Sequence, residues 1–385
     1  MNVESKNNIY FPNLDSIRFI AALMVYLQHG IRPAFKLLPI QDSKWEGLIT
    51  TICGGGTGVS IFFVLSGFLI TYLLITENEM SGKVNLWNFY IRRVLRIWPL
   101  YFAVVLFAFC LYPVLKTILG VNQPLASNVF YHLTFLSNFD VINIQKNFFG
   151  CDAMSQNITW SVSIEEQFYL FWPLIFTFLS KRYWKYCIMA VIVFSMAFRM
   201  MHHTDEVVLY FHTFSVLVDL GMGGLFAMLI KENKRVKRFF ENAGTIHHVL
   251  FLLASFTIVH WYKAIFAFTY GHAISHLFQA ALFASVISAQ AITKQKSFLN
   301  LQNITVFKKL GKYTYGIYLL HPIALTILSV LVRVLNLPDN NFISLFITGI
   351  IGYVFTLYLS KFSYRYFEKR FLTLKDKFST IHTHT

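Results

Sequence analysis

Charge is scarce in this chain. Of its 385 residues only 13% are Asp, Glu, Lys or Arg, about half the share of an ordinary soluble domain, whereas 56% are hydrophobic and 18% aromatic. A water-soluble fold of this length has no interior large enough to hide so much Phe, Leu and Ile. Cysteine is equally sparse. Cys53, Cys110, Cys151 and Cys187 form no CxxC and no metal-type pairing, which argues against a zinc or redox centre. Cys53 and Cys151 fall in expected outer connections, so a disulfide is the alternative to plain thiols; plain thiols are the expectation. No HExxH occurs, and no metal site is expected. GGGTG at 54–58 lacks the Lys-Ser/Thr of a phosphate loop, so close helix packing or a turn accounts for it better. The opening residues MNVESKNNIYFPN are polar and lack the short apolar core of a cleavable signal. The first apolar segment is therefore expected to stay as a helix.

What the sequence has in quantity is apolar runs. They occur at approximately 14–37, 57–76, 98–119, 163–180, 186–201, 208–230, 247–262, 272–293, 313–333 and 343–361, most of them close to the roughly 20 residues that a helix needs to cross a bilayer. The runs at 186–201 and 247–262 are short for this. Asn128–Phe139 is apolar but too short to span, and reads as an interfacial or re-entrant element. The basic residues test the count. Twenty-four Lys and Arg fall in alternate connections and the basic C-terminal stretch, against Lys44, Lys146 and Lys263 in the others. Such a bias places the basic face, and both termini, in the cytoplasm. The net charge of +15 is thereby read as a membrane face and not as a nucleic-acid surface. The expected fold is an all-α integral membrane protein of about ten transmembrane helices. One membrane domain is expected over 1–375, with a short polar tail at 376–385.

Polar groups inside such runs are informative because each costs several kcal/mol unless paired or hydrated. The first run holds Asp15, Arg18 and His29. Asp15 and Arg18 are three apart, neighbours on one helical face, and can neutralise each other. His29 lies eleven residues beyond Arg18, roughly 16 Å higher on the helix, where an imidazole can act as a general base; a hydrogen-bonded structural histidine is the competing reading. FYIRRVLRIWPLY at 89–101 places Arg92, Arg93 and Arg96 at the basic start of the third helix. Guanidinium forks there suit the phosphates of a cytoplasmic donor, and positive-inside anchoring explains them equally well. TWSVSIEEQFYLFWPL at 159–174 gathers Trp160, Ser163, Glu165, Glu166 and Tyr169. Ser161 or Ser163 is placed to cap that helix, which accounts for one carboxylate by itself. In the ninth run Tyr318 and His321 are three apart, and Pro322 frees a carbonyl within the bilayer. A kinked helix lining a cavity and a purely structural kink are both consistent with this. Seven further histidines, His276 among them, form no recognisable ligand set and are read as interfacial or cavity residues.

Five blocks taken in order resemble the acyltransferase-3 family of bacterial membrane acyltransferases: LDSIRFIAALMVYLQH at 14–29, GVSIFFVLSGFLIT at 58–71, FYIRRVLRIWPLY at 89–101, WSVSIEEQFYLFWP at 160–173 and LGKYTYGIYLLHP at 310–322. The resemblance implies a membrane O-acyltransferase in the inner membrane. It would move an acyl group, most often acetyl, from cytoplasmic acyl-CoA to a carbohydrate hydroxyl of the cell envelope, with no permanently bound cofactor. His29 would be the catalytic imidazole, Arg93 and Arg96 would hold the donor, and Glu165 would line or orient the site. Ser16 replaces the Gly often found after Leu-Asp. Some relatives carry an additional extracytoplasmic esterase-like domain, which this chain is too short to include on the same reading. The rival expectation is a polytopic carrier of a glycan or proton-coupled solute, which would use Asp15, Arg18, His29 and His321 equally well.

Overall fold

The computed structural model describes residues 9–39, 44–118, 126–147, 155–338 and 341–379. Among these residues the chain is helical throughout, with no strand. Its long helices are α1 (Pro12–Tyr26), α2 (Gly55–Ser81), α3 (Leu86–Leu106), α4 (Thr159–Phe178), α5 (Lys181–Met201), α6 (Thr213–Glu232), α7 (Thr245–Ile265), α8 (Gly271–Ile292), α9 (Thr314–Val334) and α10 (Phe342–Ser363). A short helix α11 (Lys369–Asp376) follows. Each of the ten overlaps one expected run. Eight of them, all but α1 and α4, are long and apolar enough to cross a bilayer. The other two carry the polar groups: Asp15, Arg18 and His29 on α1 and its extension, Glu165, Glu166 and Gln167 on α4. Polar cargo of this kind lowers hydropathy where a buried site requires it.

Several boundaries differ from the sequence reading. Helix α3 begins at Leu86, twelve residues before the expected 98, because Asn85 caps it by accepting from the Asn88 N–H at 3.0 Å. The arginines at 92, 93 and 96 therefore lie inside the helix. Helix α4 begins at Thr159 with no side-chain cap, so neither Ser161 nor Ser163 caps it, and Glu165 and Glu166 sit nearly two turns inside. The expected sixth run is broken at His212 between Glu206–Phe211 and α6. Between 126 and 147 the chain forms two short helices, Val129–Leu133 and Ser137–Asn147, as expected of a segment too short to span. Cys151, and with it the Cys53–Cys151 question, lies outside the described residues, as does the tail beyond 379. Cys110 and Cys187 are free thiols.

Glycine lets the central helices touch. A Cβ on Gly67 of α2 would lie 1.9 Å from the Leu220 carbonyl oxygen of α6, and one on Gly223 would lie 2.0 Å from that of Val64. Only bare backbone permits this approach, the mode by which membrane helices associate without a hydrophobic driving force. Gly58, the last glycine of GGGTG, packs in the same way against α1, where a Cβ would stand 2.5 Å from the Ala21 carbonyl oxygen. Helix α2 also lines, with α1, α3, α4 and α9, the cavity that holds the polar residues.

Candidate active site

A cavity of about 200 Å³ opens between α1, α2, α3, α4 and α9, room for about seven waters at roughly 30 Å³ each. Its wall on α2 runs from Val59 to Leu73, about 21 Å of helix at 1.5 Å per residue, so it is long. On α4 the lining residues Ser161, Glu165 and Tyr169 recur every four positions and share one helical face. Leu14, Asp15 and Arg18 come from α1, Arg93 and Arg96 from α3, and Thr314, Tyr315 and Tyr318 from α9.

One end of the cavity is basic. Arg18 and Asp15 form the i, i+3 pair, at 2.5 Å, and the Tyr10 hydroxyl donates to the same carboxylate at 3.0 Å. Arg93 lies against the rings of Phe89 and Tyr169 at 5.6 and 5.5 Å, a cation–π arrangement. Its buried Nε has no hydrogen-bond partner. Glu165 accepts from the Ser66 hydroxyl at 2.6 Å, and Ser66 lies 2.9 Å from the Tyr169 hydroxyl. The opposite end closes on Tyr318, whose hydroxyl is 2.6 Å from that of Ser161.

Beyond Tyr318 stands a histidine pair. His321 is 1% exposed; its ring centroid lies 6.3 Å from that of Tyr318 and 5.2 Å from that of His29, nearly parallel to it. The His321 Nε2 and His29 Nδ1 atoms are 3.2 Å apart, and His321 Nδ1 lies 3.1 Å from the Ile317 carbonyl oxygen. A carbonyl only accepts, so Nδ1 of neutral His321 carries the proton and its Nε2 accepts from His29 Nδ1–H. The chain of bonds leaves the His29 Nε2 lone pair free, on a side chain that is itself exposed. His29 lies in a single π-helical turn, Leu27–Ile31. Such turns are frequent at functional sites. Tyr26 braces the turn by donating to the Gly349 carbonyl at 2.5 Å, and Gly349 fits only because it lacks a Cβ, which would lie 2.2 Å from the Gly30 carbonyl oxygen.

The residues singled out from sequence thus separate into groups. Asp15, Arg18, Arg93, Arg96, Glu165, Tyr169 and Tyr318 line one cavity, and His29 pairs with His321 just past its end. Arg92 points elsewhere, to Glu77 at 3.1 Å and the Phe378 carbonyl at 2.8 Å. Trp160 packs among Phe63, Tyr210 and Phe211. Ser163 is buried against Ser137 at 2.7 Å. Glu166 accepts from the Trp98 indole at 2.8 Å and is not part of the cavity wall. Sequence reasoning missed Ser66, Ser161 and Tyr315. It also missed the buried Asp219–His276 contact, at 3.0 Å, although a lone acid inside the run at 208–230 was signal enough. Among the described residues no group of three or more His, Cys, Asp or Glu is placed to hold a metal.

A helical membrane bundle enclosing a long cavity, basic at one end and closed at the other by Tyr318 with a histidine pair beyond it, defines a class of intramembrane site. The comparisons supply the family: residues 11–364 match the acyltransferase-3 model, described as an acyltransferase domain, and the chain belongs to that family. It is 29% identical over 333 residues to a protein of Staphylococcus aureus (strain COL) provisionally named an O-acetyltransferase, covering 81% of this chain and 50% of the relative. It is also 33% identical over 177 residues to the O-acetyltransferase OatA of Staphylococcus aureus (strain NCTC 8325), covering 45% of this chain and 26% of OatA. The chain thus spans about half the length of the first of these relatives and matches about a quarter of OatA. No solved structure matches it.

Proposed function

We propose that this chain is an inner-membrane O-acyltransferase that moves an acetyl group from cytoplasmic acyl-CoA to a hydroxyl of an envelope carbohydrate. In this reading ten helices span, both termini are cytoplasmic, and the basic end of the cavity faces the cytoplasm. The donor's phosphates meet Arg93 and Arg96, and its arm extends through the cavity toward Tyr318. The acceptor approaches from the opposite face, where His29 is exposed. His29 Nε2 takes the hydroxyl proton as the oxygen attacks the thioester carbonyl. The new C–O bond forms, the C–S bond breaks, and the proton passes to the departing thiolate, leaving His29 neutral for the next cycle.

The observation that carries this is the hydrogen bond from His29 to His321 beyond an arginine-lined cavity. It supports a base whose lone pair is aimed away from the donor's phosphates. Family membership favours an enzyme over the carrier alternative, since the matched relatives are named for O-acetyl transfer. Membranes containing the protein, incubated with acetyl-labelled acetyl-CoA and purified envelope glycans, distinguish the two. The enzyme leaves covalent label on the glycan; a carrier leaves none.

A further inference from the structure

A second, smaller cavity of about 40 Å³ adjoins the first, and Arg93 and Arg96 line both. Its other walls include Glu77, Arg92, Lys375 and Ser379. Two of its charges are already engaged. Glu77 pairs with Arg92 at 3.1 Å and accepts from the Asn85 N–H at 3.1 Å. Arg92 also donates to the Phe378 carbonyl, which ties the segment after α11 to α3.

Lys375 is different. It is only 5% exposed, and the nearest carboxylate, Asp376, stands 3.7 Å away with a side chain 61% exposed. That separation is too long for a hydrogen bond, and a pair open to water is weak. Lys375 lies within electrostatic range of both Arg96 and Arg93. Arg96 forms no hydrogen bond or ion pair with any described residue; its nearest opposite charges act only at a distance, from Asp15, Glu165 and Glu368. Three cations therefore converge on one half-enclosed pocket, held by a helix that lies beyond the 11–364 family match. Gathering like charges out of water is unfavourable unless an anion joins them.

We infer that Lys375 is a phosphate ligand of the acyl donor, completing with Arg93 and Arg96 a site for the phosphorylated end of a nucleotide thioester. Helix α11 is then a wall of the donor site, and Arg92 is the tether that holds it there. The inference rests on the acyl-CoA reading above.

The test is equilibrium binding of coenzyme A, and of pantetheine, which lacks the phosphates, to the purified full-length protein in lipid nanodiscs. Lys375→Gln is expected to weaken coenzyme A binding on the order of tenfold, as for loss of one charge-assisted contact. Lys375→Arg should keep most of it, and pantetheine binding should be unchanged in both. If Lys375→Gln binds coenzyme A like the wild type while Arg93→Gln does not, Lys375 is no ligand and the donor reading stands. Loss of pantetheine binding along with coenzyme A binding in both Lys375 variants assigns the residue to folding and overturns the inference. Failure of the wild type to bind coenzyme A at all overturns the donor reading itself.

Discussion

His29 Nδ1 lies 3.2 Å from His321 Nε2, and the Ile317 carbonyl at the far nitrogen of His321 decides which of them donates. The relay needs no charge. It fixes one tautomer of His29 through a second imidazole that is itself buried, and leaves Nε2 of His29 as the free base.

His321 is accordingly a positioning residue. His321→Leu should lower kcat for acetyl transfer by about a hundredfold, the lower part of the range for a general base, while leaving the KM for acetyl-CoA near the wild-type value. Steady-state kinetics on glycan acceptor check this. A rise in KM equal to the fall in kcat would assign His321 to donor binding instead.

The π-helical turn that carries His29 depends on Gly349. Gly349→Ala places a Cβ against the Gly30 carbonyl, and overpacking of this kind costs about 1–3 kcal/mol. The expected outcome is a lowered unfolding temperature and a large loss of transfer, with coenzyme A binding retained because the basic end of the cavity is untouched. Thermal unfolding and binding measured on the same sample decide it.

Ser66 was invisible as a site residue because it is one of three hydroxyls, with Ser60 and Thr71, in GVSIFFVLSGFLIT, and each alone looks like helix packing. Removing it takes from the part-buried Glu165 carboxylate one of its donors, a loss of about 1 kcal/mol. Ser66→Ala should therefore lower the unfolding temperature, and Ser66→Thr should restore most of the loss. Differential scanning in detergent reads both.

Arg93 is held between two aromatic rings with Nε unpaired. A lysine has neither the planar fork nor the stacking surface. Arg93→Lys should raise the KM for acetyl-CoA about tenfold and change kcat much less. An unchanged KM would remove Arg93 from donor binding.

Much of this was legible before the fold. The scarcity of charge and the long apolar runs pointed to membrane-spanning helices, and eight helices are long and apolar enough to be them. The i, i+3 spacing of Asp15 and Arg18 foretold their pair. Helical phase sorts the residues that motif adjacency had lumped together. Ser161, Glu165 and Tyr169 repeat every four residues and face the cavity, whereas Trp160 and Ser163 fall off that face into the core. Arg92, one position from Arg93, turns about 100° away and meets Glu77. Other features were not readable in one dimension. That Lys375 meets Arg93 and Arg96, or His321 meets His29, depends on contacts across almost 300 residues. No local pattern encodes them. The early start of α3 was hidden because its first turns are amphipathic, so a hydropathy reading stops at the apolar edge while the backbone hydrogen bonding continues to Asn85.

The most direct test is the His29→Gln variant in proteoliposomes, supplied with labelled acetyl-CoA on one side and glycan on the other. Glutamine keeps the polarity of the site but has no basic nitrogen at pH 7. Transfer should fall by at least about a hundredfold, with insertion and coenzyme A binding as in the wild type. Undiminished glycan labelling by that variant would contradict the account at its centre.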